Sequence, residues 1–119
     1  MRVYYTVSRL LGILTLIAAT GCATKVQTLY QWQGYQDNVD AYFRGDKSSP
    51  SEQIQKMEED LQKILADGAA VPPGYYAHLG LLYAQQDRLD DFAEKIQAEK
   101  EQFPESDGYM NFLLKGLKK

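Results

Sequence analysis

One cysteine, one histidine and one tryptophan stand in a chain of 119 residues, and each scarcity excludes something. A lone Cys22 cannot close an internal disulfide. With His78 as the sole histidine, a Cys/His zinc site cannot be assembled. Cations do not dominate either: 13 Lys plus Arg face 16 Asp plus Glu, for a net charge of −3. A nucleic-acid binder needs a basic patch, so no nucleic-acid partner is expected. Long apolar runs are missing as well. The longest, Leu10 to Ala19, has ten residues interrupted by Gly12 and Thr15, whereas a membrane-spanning helix needs about 20. Glycine-rich phosphate cradles, a nucleophile elbow and paired cysteines are all absent from the sequence. No cofactor, metal site, small-molecule substrate or catalytic residue is therefore expected, and the reading is non-enzymatic.

What the N-terminus does contain is an ordered signal. Arg2 and Arg9 make a positive start, the apolar run follows, and Thr20-Gly21 lead into Cys22. Basic, apolar and small-residue regions in that order form a secretory signal. The ending Ala19-Thr20-Gly21-Cys22 resembles the lipobox of bacterial lipoproteins. A plain secretory signal with an incidental Cys, or a short buried helix, is the competing reading. The resemblance implies cleavage between Gly21 and Cys22, a diacylglyceryl group on the Cys22 thiol and an N-acyl chain on its new amino group. Each buried CH₂ contributes about 0.8 kcal/mol, and stable anchoring takes more than one chain, a condition this triacylated end meets. Ala23 follows, not Asp; under the sorting rule of enteric bacteria, that favours the periplasmic face of the outer membrane.

Cleavage leaves 98 residues carrying a net charge of −5. That length is enough for one small core with little to spare. The expected division is a signal peptide over 1–21, a lipidated Cys with its tether over 22–29, and a helical domain over 30–119.

Periodicity within the domain predicts an all-α fold of about five helices. Tyr35, Val39, Tyr42 and Phe43 mark a first helix closed by Gly45-Asp46. Ser49, Pro50 and Glu52 form a start signal in which cap and Glu satisfy each other's backbone donors. Ile54, Met57, Leu61, Ile64 and Leu65 then form a stripe, and residues 56, 58–60, 62 and 63 form an expected solvated face. Val71-Pro72-Pro73-Gly74 breaks the chain. A third helix turns Tyr75, Tyr76, Leu79, Leu82 and Tyr83 inward, and its Gly80 points to a close helix neighbour. A fourth, over 89–102, turns Leu89, Phe92, Ala93, Ile96 and then Phe103 inward. After Pro104, Ser106 is expected to cap a last helix with the stripe Tyr109, Met110, Leu113, Leu114 and Leu117.

Residues 76–104 resemble one tetratricopeptide repeat, a 34-residue helix–turn–helix. Tyr76, Leu79, Gly80, Tyr83, Leu89, Ile96 and Pro104 stand at its spacing, while Phe92, Asp87 and Glu99 depart from it. The segments YQWQGYQDNVDAYF at 30–43, VPPGYYAHLGLLY at 71–83 and EKEQFPES at 99–106 resemble domain of unknown function 4810, a family of small bacterial lipoproteins. The resemblance implies an accessory in an envelope assembly, because family genes tend to lie beside those of a lipoprotein similar to the curli secretion channel and of another small lipoprotein. It supplies no catalytic residues.

Tyr30, Trp32 and Tyr35 are the candidate contact residues. Aromatics so close to a tether are either core or a partner-binding patch, since Trp and Tyr are common interface anchors. His78 lies beside an inward stripe and reads as structural or surface, and the acids Asp87, Asp90, Asp91 and Glu94 suit a helix start. The expected function is a lipid-anchored interaction module bound to other envelope lipoproteins; a stand-alone, peptidoglycan-associated factor is the alternative.

Overall fold

The computed structural model describes residues 3–5, 28–45 and 48–116. Apart from residues 3–5, the expected signal peptide lies outside the described residues, as do the expected lipobox with Cys22 and residues Leu117, Lys118 and Lys119. From residue 28 the chain is all-α: α1 (Tyr35–Arg44), α2 (Pro50–Ala66), α3 (Tyr75–Gln85), α4 (Leu89–Gln102), a 3₁₀ turn (Pro104–Ser106) and α5 (Asp107–Gly116). Among the described residues, no helix is long and apolar enough to cross a membrane.

Local chemistry sets the ends. Gly45 closes α1 in the left-handed conformation with φ 68°, and its N–H reaches the Ala41 carbonyl. The expected capping box opens α2: the Ser49 N–H donates to Glu52 Oε2 at 2.8 Å, and the Glu52 N–H donates to Ser49 Oγ at 3.3 Å. The turn from α3 to α4 takes a left-handed residue at Asp87, φ 57°, a conformation that Asp tolerates better than most side chains. Ser106 does not cap α5 as expected. The 3₁₀ turn precedes that helix, and Ser106 Oγ is buried without a partner.

The core lies where α2 and α4 close on α3. Met57, Ile64, Tyr75, Leu79, Leu82 and Ile96 are fully buried within it. A Cβ placed on Gly80 would stand 3.4 Å from Ile96 Cδ1, Lys95 Cβ and the Phe92 carbonyl, so α3 and α4 do pass in close contact there. Polar clamps bind the same three helices. Tyr75 donates its hydroxyl to the Met57 carbonyl at 2.8 Å, and Tyr83 donates to Glu58 Oε1 at 2.7 Å. Lys95 Nζ lies 3.3 Å from that same Glu58 oxygen.

Several expected positions differ. Phe43, Leu65, Leu89 and Tyr109 are exposed, and so is Ala93. Phe43 and Leu65 sit near helix ends, beyond the reach of the neighbouring helix; α5 presents Met110, Leu113 and Leu114 to the core instead of Tyr109. The face over 56–63 is not uniformly solvated either. Asp60 is buried, accepting from the Gly34 N–H at 3.3 Å and from Lys63 at 2.8 Å. A contact with the start of α1, remote in sequence, draws this one acid inward. A Cβ on Gly34 would stand 3.0 Å from Asp60 Oδ2, so a larger residue there would press on the carboxylate.

Candidate functional site

The chain entering the domain pairs with the loop between α2 and α3, and touches Phe103 at the end of α4, before α1 begins. Tyr30 forms an isolated parallel bridge with Ala70, and the Gln31 N–H donates to the Ala70 carbonyl at 3.3 Å. Tyr35 N–H then reaches the Trp32 carbonyl at 2.9 Å, which folds Trp32 back over the start of α1. This turn holds Gln33 at φ 43°, a left-handed conformation that a side chain makes costly.

The result is a connected set of rings. Phe103 meets Tyr30 at 6.2 Å, Tyr30 meets Trp32 edge-on at 6.3 Å, and Trp32 meets Tyr35 at 5.7 Å. Tyr35 stacks on Tyr75 at 5.4 Å, deep in the core. The three candidate residues are therefore brought together, but not equally. Tyr30 and Tyr35 are half-buried, and Trp32 is 39 % exposed, the outermost ring of the series. Leu29, just before them, is 75 % exposed.

His78 is placed inside this layer. Its ring meets Tyr42 at 5.1 Å and Tyr35 at 6.0 Å, both edge-on. Nε2 is buried without a hydrogen-bond partner. Burial lowers its pKa from the ordinary 6.5, offset in part by the Asn38 backbone carbonyl. A histidine whose folded pKa is depressed is bound as the neutral ring, so its contribution is present above about pH 6.5 and is lost as pH falls below. The expected result is a melting temperature that falls more steeply from pH 7 to pH 5 in the native protein than in His78→Phe; equal slopes would show that the ring does not titrate with folding.

Glu99 is a residue that the sequence did not mark as important. At 2 % exposure, it accepts from the Gly74 N–H at 2.6 Å and from the Ala77 N–H at 3.4 Å. Helix α3 has no side-chain cap of its own, since Gly74 occupies that place with φ 86°. Glu99 of α4 supplies the missing acceptor. Burial raises its pKa, opposed by the backbone donors of Gly74, Ala77 and Tyr76. Its one sequence signal was a departure: an acid where a repeat would carry a small residue.

Two surface clefts complete the description. One, of about 300 Å³, is lined by Asp37, Asn38, Gln53 and Lys56 among others; the second, of about 370 Å³, lies by Lys100, Pro104 and Asp107. Among the described residues, no group of three or more His, Cys, Asp and Glu is arranged to hold a metal ion. The acids Asp90 and Asp91 lie in the first turn of α4, where Asp91 pairs with Arg88 at 2.8 Å.

The family model described as Domain of unknown function (DUF4810) matches residues 29–113. The chain belongs to this family. All three segments that carry the resemblance fall inside the matched region. Comparison with curated proteins and with solved structures gives no match. The DUF4810 match begins at Leu29, one residue before the Tyr30 bridge, so the aromatic layer and the α3–α4 hairpin both lie within it.

Proposed function

We propose that this DUF4810 protein is a lipid-anchored envelope lipoprotein, held by Cys22 at the periplasmic face of the outer membrane, whose helical domain binds another envelope lipoprotein. The observation that carries the interaction reading is the aromatic layer at the domain entrance. Tyr30 packs on Phe103 and Tyr35 stacks on Tyr75, while Trp32 and Leu29 beside them stay at the surface. Rigid, partly exposed aromatics bind at low entropic cost. The close α3–α4 pair at Gly80 supports tetratricopeptide-repeat-like packing, and the neighbouring genes implied by the family resemblance favour a lipoprotein similar to the curli secretion channel as partner. Confinement to one membrane raises effective concentration, so a modest interface suffices. The role is non-catalytic: His78 is enclosed by Tyr35 and Tyr42, and Glu99 is engaged by backbone donors.

Crosslinking in membranes, followed by co-purification, tests the partner. Trp32→Ala is expected to cost on the order of 1 kcal/mol in stability, because the ring is only partly buried, while reducing partner capture about tenfold. Unchanged capture after efficient crosslinking would remove Trp32 from the interface. Recovery of the protein with cell wall alone would favour the peptidoglycan-associated alternative. For the anchor, Cys22→Ser is expected to release the protein from washed membranes; its retention would overturn the lipoprotein reading.

A further inference from the structure

We propose that α5 is a second, reversible membrane contact: its outer face lies on the anionic phospholipid surface into which the Cys22 lipid inserts. This rests on the lipoprotein reading above.

Helix α5 is apolar on two sides. Met110, Leu113 and Leu114 pack on the core. On the other side Tyr109 and Phe112, one turn apart, are 61 % and 68 % exposed and stack on each other at 6.2 Å. Burial in the domain does not account for them. Gly108 and Gly116 share that outer side, and among the described residues a Cβ at either would meet nothing within 4 Å.

Charge identifies what would cover it. The chain is acidic overall, yet residues 108–119 carry Lys115, Lys118 and Lys119 and no acid. Asp107 itself is engaged by Lys100 at 3.1 Å. Exposed Tyr and Phe followed by clustered Lys is the pattern of an interfacial amphipathic helix, with rings at headgroup level and cations toward anionic lipid. The acids Glu101 and Glu105 precede the helix, so the part that meets the surface starts at Tyr109.

The tether brings the membrane to it. Tyr30, where the tether joins the domain, touches Phe103, the residue just before the turn into α5. Between Cys22 and Thr28 stand five residues, which extended reach roughly 20 Å from Cys to Thr. Helix α5, at ten residues, is about 15 Å long. An anchor on so short a lead keeps α5 within reach of the lipid surface.

The test uses the processed, lipidated full chain in vesicles, with Tyr109→Trp in a Trp32→Phe background and bromine-labelled phosphatidylglycerol as quencher. Quenching of about twofold is expected at low salt, falling away near 0.5 M salt, where screening is short-ranged, and in Lys115→Ser/Lys118→Ser/Lys119→Ser. Hydrogen exchange of the unsubstituted chain gives an independent readout: amides over 109–116 are expected to be protected by phosphatidylglycerol vesicles and not by phosphatidylcholine vesicles. Flotation with vesicles at 0.5 M salt reports the anchor separately. A chain that floats but shows neither quenching nor protection overturns the α5 contact and leaves the anchor standing. Loss of flotation with quenching retained at low salt does the reverse. Shielding of the introduced indole from a soluble quencher without vesicles would assign the face to a second copy of the chain and overturn the proposal.

Discussion

Glu99→Ala is expected to lower stability by about 2–4 kcal/mol, measured as a fall of roughly 10–25 °C in melting temperature for a domain of this size. The carboxylate is buried and serves donors that α3 cannot satisfy by itself. The first turn of any helix leaves N–H groups unpaired, and side-chain caps typically contribute about 1 kcal/mol. Here the cap comes from a different helix, so its removal also separates α4 from the VPPG corner. Glu99→Gln separates the two components of the interaction. An amide keeps one acceptor for the 2.6 Å bond from Gly74 and avoids the burial of charge that raises the Glu99 pKa. Its cost is expected to be less than half that of Ala. A raised folded pKa means that the Glu99 contribution is greatest at low pH and is lost as pH rises through that value. The gap between native protein and Glu99→Gln should therefore widen, in favour of the native protein, as pH falls. A cost for Ala under 1 kcal/mol would show that water replaces the carboxylate.

Tyr75→Ala is expected to cost about 3–5 kcal/mol, the range for emptying a fully buried aromatic site. Tyr75 has no exposed surface, stacks on Tyr35 and donates to the Met57 carbonyl. One side chain thus joins α1, α2 and α3. Tyr75→Phe keeps the ring and is expected to lose only about 1 kcal/mol, the typical worth of one hydrogen bond. Denaturant unfolding checks both. Tyr75→Ala should also loosen the entering chain, read as faster proteolysis around residues 28–34, because Tyr35 loses its stacking partner. A Phe variant as damaging as Ala would place the hydroxyl above the ring in importance.

Helix positions in this protein were legible because their signals are local. Ser49-Pro50 with Glu52, the double proline at 72–73 and Gly45 act within one turn of backbone, and each limit falls where those residues stand. Burial was legible for stripes facing a single neighbour, such as Ile54, Met57, Leu61 and Ile64. It was less so at helix ends and on α5, where periodicity marks an apolar residue but not whether another helix extends far enough to cover it. Phe43 and Tyr109 are apolar residues of this kind. Asp60, Glu58 and Glu99 are the converse: acids that look solvated in sequence and are drawn inward by partners about 25 residues away.

The candidate site divides in the same way. The sequence located Tyr30, Trp32 and Tyr35 and left both core and patch open. Packing separates the three by burial alone, since Tyr35 reaches Tyr75 while Trp32 remains at the rim. The sequence by itself determined the helical class, the helix limits, the family and the expectation of an anchored N-terminus, because capping, periodicity and a lipobox-like pattern are read along the chain. Only the tertiary structure decided which polar groups are internal and which aromatic faces stay uncovered. Those depend on pairs of groups brought together across the fold, where desolvation makes each partner necessary to the other.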